Sequence, residues 1–405
     1  MKIPFSPPYI DDDVINEVND SLRSGWITTG PKVRLLEEEI ASFVHCPKAV
    51  AVNSWTSGAI LALRWLGVKA GDEVIVPAYT YCATAMAVMD CGATPIMVDI
   101  NDDLTIDVEQ VERAITTRTK AILPVDLAGQ PCDYLKLRDI ISKPHIKELF
   151  HAESKVQQDL GRILLLSDSA HSIGARTEGR NVAELVDIAV LSLHAVKNIT
   201  SAEGGIICLN LPEPFNNDIL SQWYRTMSLN GQTKDAFTKS QAGAWHYDIV
   251  AQGMKINMPD VNAAIALSQM RKYDYLLSER RRVYGRYTAC LSNYDWAILP
   301  YLNTNNGKQS SYHLYPLRIK GISEEQRDKI ILFMAQKDIA TNVHYIPLPL
   351  LTLFKQQGYN INNYPKSFAA YQHEITLPLY PQLTNKQVDY VLENLLAAYK
   401  TIVCQ

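Results

Sequence analysis

Apolar residues along the chain repeat with two different periods. Between Asp11 and Leu22, Val14, Ile15, Val18 and Leu22 recur at the three-to-four spacing of a helix, and Gly25 supplies a stop. The stretch SGWITTGPKVRLLEEEI then predicts a loop from Gly25 to Pro31 and a second helix. From residue 50 the pattern changes to short unbroken aliphatic runs: Val50–Val52, Glu73–Val76, a run within TKAILPVD, Ile163–Leu166, Ile188–Leu193 and Ile206–Asn210. Runs of this length, bounded by polar residues or proline, fit strands buried on both faces, as in an open α/β sheet. Helices are predicted from about Ser57-Gly58, just after Tyr81, and over a long stretch from Asp260, with Pro259 immediately before it.

The last third repeats the theme on a smaller scale. SYHLYPLRI and TNVHYIP predict two strands, ISEEQRDKIILFMAQKDI a helix capped by Ser323, and QLTNKQVDYVLENLLAAYKTI a closing amphipathic helix. We therefore expect an N-terminal arm and large domain over residues 1–248 and a smaller α/β domain over 249–405. The stretch SLNGQTKDAFTKSQAGAWHYD between them has the glycine and polar content of a loop.

Composition narrows the function. A chain of 405 residues with net charge −4 has room for two domains and carries no basic stripe for nucleic acid or membrane. No apolar run reaches the ~20 residues of a membrane helix, and MKIPFSPPYIDDD does not read as a signal peptide, so a cytoplasmic location is expected. Seven scattered cysteines and nine histidines form no CxxC or HExxH pattern, so no metal site is expected. GxG and GxxxxGK are both absent, which removes the usual nucleotide-phosphate loops.

The candidate chemistry sits at strand ends. One predicted strand ends on Asp168 in RILLLSDSAHSIGA, and the next opens through Ser192 onto His194 and Lys197 in DIAVLSLHAVKNITSAEGG. Ligands of open α/β sheets bind at such C-terminal strand ends. A lysine that can form a Schiff base, beside a carboxylate that can hold a pyridine nitrogen protonated, matches the needs of pyridoxal phosphate. A capping aspartate and a solvated lysine would also fit these positions. After Val52 the chain breaks at Asn53-Ser54 into a helix whose N-terminus can bind phosphate, or whose Ser and Thr residues only cap it. Tyr81 at another strand end can stack on a flat ring or simply fill the core.

SDSAH, SLHAVKN, AEGG and the N-terminal WITTGP resemble the DegT/DnrJ/EryC1/StrS family of sugar aminotransferases, and the resemblance runs from Ile3 to the last helix. It implies the type I fold of pyridoxal phosphate-dependent transferases (aspartate aminotransferase-like): a large domain with a mostly parallel seven-stranded sheet, a small C-terminal α/β domain, and a homodimer with shared active sites. By the same resemblance Lys197 is the Schiff-base lysine, Asp168 the partner of the pyridine nitrogen, His171 a neighbour of the cofactor and Ser192 a phosphate ligand. Thr56 and its backbone neighbours, Trp55 included, grip the phosphate. Trp55 stands where the family often has a small residue, so its indole must point away. Tyr81 stacks on the ring. Lys255 and Asn257 stand where the family has Asn and Arg, a variant similar to the 4-amino-4-deoxy-arabinose aminotransferases, and reach the neighbouring subunit's phosphate. Thr29 borders the cleft, and His313, Tyr315, His344 and Tyr345 border the sugar-nucleotide pocket, with Pro349 where a second histidine is common.

The chain departs from the family at Lys143–Arg162, a polar, helix-prone insertion expected to be a solvated excursion or a contact with a partner subunit. The implied reaction moves the amino group of L-glutamate to the C4 ketone of a nucleotide-linked sugar. UDP-2-acetamido-2,6-dideoxy-hexos-4-ulose is the favoured acceptor and a UDP-4-ketopentose the alternative. Dehydratases on the same fold carry histidine in place of the lysine, so Lys197 disfavours them.

Overall fold

The computed structural model describes residues 1–234, 245–300 and 307–404. Each of the six aliphatic runs forms a strand, and Thr94–Val98 adds a seventh: β1 Lys48–Val52, β2 Glu73–Pro77, β3 Thr94–Val98, β4 Thr119–Ile122, β5 Leu164–Asp168, β6 Ile188–Ser192 and β7 Gly205–Leu209. They make one seven-stranded sheet in the order β1-β7-β6-β5-β4-β2-β3. All pairings are parallel except those of β7, which runs antiparallel to β1 and β6. Leu165 of β5 joins the core on one face, while Leu164 and Leu166 join the core on the other. Each such buried leucine contributes roughly 1.5–3 kcal/mol, which is why the runs do not alternate with polar residues.

Local capping sets the helix bounds. Asp11 accepts the Val14 N–H to start the helix Asp12–Ser24, and Gly25 ends it at φ 73°. The helix after β1 spans Trp55–Leu66, two residues ahead of its predicted start, because the Ser54 side chain caps it by accepting the Ser57 N–H.

The insertion at 143–162 is a correction. It forms two short helices, Pro144–Leu149 and Lys155–Leu160, as its helix-prone composition predicts, but it is not merely solvated. Ile146 packs into the core. The Ser154 hydroxyl and the buried Gln157 amide both donate to the Leu66 carbonyl at 3.1 Å, and so satisfy the C-terminal end of the helix Trp55–Leu66.

The small unit has the antiparallel sheet β8 Ala297–Ile298, β9 Tyr315–Ile319 and β10 Glu374–Leu377 in that order, covered by the helices Glu324–Gln336 and Asn385–Ile402. Two expectations fail here. The strand predicted in SYHLYPLRI starts only at Tyr315, because Ser311 and His313 donate their N–H groups to Gly129 and Ala128 in the turn after β4. TNVHYIP makes only an isolated bridge, Asn342 to Thr376, and β10 takes the place beside β9. Of the loop expected over 228–248, residues 235–244 lie outside the described residues.

Packing bears on the division at 248/249. Ala263 to Leu276 pack into a core of the large sheet, whereas Val283 to Leu291, Tyr315 to Ile339, Ile375 to Ala398 and Ile3 build the core of the small unit. Leu348, Phe354 and Tyr364 return to the other core of the large sheet. We propose that the domains meet within the helix Tyr273–Leu291, with Ile3 on the small side. Among the described residues no helix is long and apolar enough to cross a membrane.

Candidate active site

A cavity of about 530 Å3 opens at the C-terminal ends of the parallel strands, between the two units. It is lined by Ser54, Trp55, Thr56, Tyr81, Asp168, His171, Ser192, Lys197, His344 and Tyr345 of the residues already named, and by Thr80, Thr84, His194, Glu203, Gly204 and Asn342 besides. Asp168 and Lys197 meet there because β5 and β6 are adjacent and parallel, with Asp168 opposite Val190, so both strands end on the same edge of the sheet.

Asp168 is 5% exposed. Its Oδ2 accepts the Thr84 hydroxyl at 2.8 Å and its Oδ1 the Ala170 N–H at 3.2 Å. Burial pushes the carboxyl up to about 7, against the pull of those two donors and of Lys197. Burial likewise brings Lys197 down to about 8, with the Asp168 carboxylate opposing. Among the described residues Asp168 makes no ion pair within salt-bridge distance. A buried, singly oriented carboxylate of this kind fits a cationic ring nitrogen.

Its own neighbours hold His171 in one tautomer. The Ala128 N–H, which can only donate, reaches Nδ1 at 3.2 Å. The neutral ring therefore carries its proton on Nε2 and donates it to the Tyr345 oxygen at 3.3 Å. Burial keeps His171 neutral by lowering it well below the usual histidine range. The Tyr345 hydroxyl proton is then free to point into the cavity.

At the other end, the helix Trp55–Leu66 presents its N-terminus. Ser54 occupies the Ser57 N–H, which leaves the first amides, of Trp55 and Thr56, for a ligand. The Trp55 indole is buried in the core and does not obstruct this end. The Gly-Gly pair explains itself here: a Cβ on Gly205 would stand 2.5 Å from the Ser54 carbonyl and 2.7 Å from the Trp55 nitrogen. Ser192 adds a hydroxyl, and Tyr81, 60% exposed, offers a ring face. The donor set fits pyridoxal phosphate: a helix N-terminus for the phosphate, a carboxylate for the ring nitrogen, and an amine of lowered basicity for the aldehyde.

Other predicted residues lie elsewhere. Tyr315 is a core residue of the small unit, 0% exposed, with its ring 4.7 Å from that of Tyr284 and its hydroxyl 3.2 Å from Thr288. It does not border the cavity, because β9 turns it inward. His313 stands behind the wall, its ring 4.3 Å from that of His171 and its Nδ1 2.9 Å from Asn198 Oδ1. Thr29 and Asn257 line a separate surface cavity of about 340 Å3. Asn257 donates to the Thr29 hydroxyl at 2.6 Å, and the exposed Lys255 donates to Asn257 Oδ1.

Sequence reasoning missed Thr84 and Asp126. Asp126 is fully buried and accepts from Tyr134 at 2.7 Å, Cys132 N at 2.9 Å and Ser172 at 2.6 Å, so it organises the turn that carries Asp168 and His171. Its signal is the same as that of Asp168, an acid closely following an aliphatic run.

The chain is similar to known proteins over nearly its whole length. The model of the DegT/DnrJ/EryC1/StrS aminotransferase family matches residues 8–396. Spr1654 of Streptococcus pneumoniae, a protein described as a sugar aminotransferase and solved in its PMP form, is 42% identical and superposes with a TM-score of 0.95 over 99% of this chain and 100% of that one. The spore coat polysaccharide biosynthesis protein SpsC of Bacillus subtilis is 33% identical over 396 residues, covering 96% of this chain and 95% of its own. Helicobacter pylori PseC, an aminotransferase involved in pseudoaminic acid biosynthesis, is 25% identical with a TM-score of 0.85 over 99% of this chain and 100% of that one.

Proposed function

Because the chain belongs to the DegT/DnrJ/EryC1/StrS aminotransferase family, we propose that it uses pyridoxal 5′-phosphate to move the amino group of L-glutamate to the C4 ketone of a nucleotide-linked sugar, for a surface polysaccharide. The favoured acceptor is UDP-2-acetamido-2,6-dideoxy-hexos-4-ulose, with a UDP-4-ketopentose as the alternative, and the enzyme acts as a cytoplasmic homodimer. The observation that carries the reading is the pair Asp168 and Lys197, facing one cavity with displaced acidities. The descriptions of SpsC and PseC support a sugar acceptor.

Bound there, the cofactor supplies an aldehyde that links to amines and a ring that stores the electron pair released at the donor's α-carbon. Lys197 takes the proton from that carbon and returns one at the acceptor's C4. An amine brought down to about 8 is neutral often enough to accept the proton and acidic enough to give it back. Asp168 holds its charge toward the ring nitrogen, oriented by Thr84 and the Ala170 N–H. The amides of Trp55 and Thr56 and the Ser192 hydroxyl would hold the phosphate and Tyr81 would stack on the ring, while His171 orients Tyr345 in the same cavity.

Among the described residues the cavity lining contains no lysine or arginine besides Lys197, and the phosphate end offers the Trp55 and Thr56 amides and the Ser192 hydroxyl. A dianion leaving water is better held with a cation as well. Lys255 and Asn257 lie outside this cavity, and the exposed apolar residues Trp245, Ile249 and Val250 precede them closely in the chain. This supports a two-fold dimer in which the loop reaches the site across the axis. Co-refolding equal amounts of Lys197→Ala and Lys255→Ala/Asn257→Ala chains should return roughly a quarter of wild-type activity, since half the dimers are mixed and each holds one intact site. Confirmed subunit exchange without recovered activity would place both residues in their own chain's site.

The acceptor is tested with a panel of UDP- and dTDP-linked 4-keto sugars and glutamate, with the configuration of the product read by NMR. The acetamido-dideoxy-hexosulose should turn over best. Preference for the pentose would move the reading to its alternative, and no amination of any member would overturn it.

A further inference from the structure

The wall that the small unit contributes to the cavity contains a buried acid that the reaction above does not use. Glu374 opens β10 and is 0% exposed. Its Oε2 accepts the main-chain N–H of His344 at 2.9 Å, and its Oε1 is hydrogen-bonded to the hydroxyl of Thr376, two residues on and on the same face of the strand. That hydroxyl meets Nδ1 of His344 at 2.9 Å. The His344 ring lines the cavity, with Phe5 stacked on it at 5.5 Å between ring centres. Among the described residues no hydrogen bond engages its Nε2.

A hydroxyl has one proton to give, so this line can be ordered in two ways. With Glu374 as a carboxylate, Thr376 donates to it, His344 Nδ1–H donates to Thr376, and Nε2 turns a lone pair to the cavity. With Glu374 protonated on Oε1, each bond reverses: the acid donates to Thr376, Thr376 donates to Nδ1, and Nε2–H faces the cavity. We infer that Glu374 is a positioning residue that selects the tautomer of His344 through Thr376, and so decides whether the ring offers a bound sugar an acceptor or a donor. The protons balance. One enters from the cavity at Nε2 while the Nδ1 proton passes through the threonine to Glu374, and the ring stays neutral in both states.

The surroundings allow the exchange near neutral pH. Burial pushes Glu374 up to about 8, opposed by Thr376, the His344 N–H and the guanidinium groups of Arg327 and Arg318. Arg318 is its register partner on β9 and Arg327 lies on the helix Glu324–Gln336. Tyr79 and Tyr345 also face it. Burial, and then the charge of Lys197, bring His344 down to about 3, and His171 and His313 are its other titratable neighbours. Glu374 therefore changes state while His344 remains neutral.

The consequence for the sugar rests on the aminotransferase reading, whereas the tautomer switch does not. The test uses the holoenzyme labelled with 15N-histidine, observed by NMR between about pH 6 and about pH 10, with His344 assigned by its loss in His344→Gln. In the wild type the proton-bearing nitrogen should pass from Nε2 to Nδ1 as pH rises, with a midpoint near 8. In Glu374→Gln the carboxamide oxygen accepts the His344 N–H and its amino group donates to Thr376, so the Nε2–H form should persist across the range. Thr376→Val cuts the line and should also abolish the exchange, which keeps the test decisive if the glutamine variant misfolds. A single unchanging tautomer in the wild type, or an exchange retained in either folded variant, overturns the inference. No turnover is needed, so a failed sugar panel would leave this result standing, and unchanged spectra would leave the aminotransferase reading intact.

Discussion

Replacing Lys197 by alanine is expected to cut turnover by about four orders of magnitude or more, the upper range of general acid–base catalysis, in a protein that still folds. Both parts follow from where the lysine sits. It is half-buried on the turn after β6 and belongs to none of the hydrophobic clusters, so its removal opens no cavity in them. Its acidity adds a sign. The folded value, about 8, lies below the value of an unfolded lysine, so the fold disfavours the charged amine. That cost is fully present below pH ~8 and fades as pH rises toward the unfolded value of ~10.4. The cofactor-free alanine variant should therefore melt no lower than wild type at neutral pH. The visible absorption of the holoenzyme should be lost or displaced in the variant, because the linking amine is gone. Melting curves, absorbance and single-turnover assays with glutamate check the three claims, and normal transamination by the variant would sink the assignment.

Asp168→Asn should keep the cofactor bound, yet slow both half-reactions by roughly 10²–10³-fold, the cost of losing one preorganised charge partner. The amide can still accept from Thr84, but it brings no negative charge to the ring nitrogen. The same substitution should stabilise the cofactor-free protein. Burial raises the folded acidity constant of Asp168 to about 7 from the ordinary carboxylate value. For an acid displaced upward, native stability is fully present below pH ~4 and is lost as pH rises to about 7. An asparagine does not titrate, so above neutral pH the variant should be the more stable by a few kcal/mol, on the order of 1.4 kcal/mol for each tenfold change in acidity. At pH ~4 the difference should vanish. Melting of both cofactor-free proteins at two pH values, with stopped-flow measurement of each half-reaction, tests the pair of effects. Near-normal rates would make the carboxylate structural. Equal stability at both pH values would remove the argument from burial.

Both of these residues stand out in the amino-acid sequence alone. Aliphatic runs without alternation announce strands buried on both faces, and six of the seven strands in the large sheet are legible in them. Because β5 and β6 end on polar residues, Asp168, Ser192 and Lys197 show as strand-end chemistry, and their resemblance to a family names the cofactor. Period and punctuation are local properties, written within ten or twenty residues, so a sequence carries them openly.

What the tertiary structure decided is everything that depends on a distant partner. Thr84 orients Asp168 across 84 positions, and Ala128 sets the tautomer of His171 from a turn 43 residues away. Tyr315 and Tyr345 both belong to short aromatic segments that look alike in sequence, yet one fills the small core and the other faces the cavity. Ser154 and Gln157 have the polarity of surface residues, and only the fold brings them the Leu66 carbonyl they satisfy. Glu374 is an ordinary polar residue in the linear pattern, and becomes a buried acid only because β10 takes the place predicted for residues 341–347. A hydrophobic pattern specifies that a face is covered. Which backbone groups and polar side chains meet beneath the cover is set by strand order and register, which the pattern leaves open.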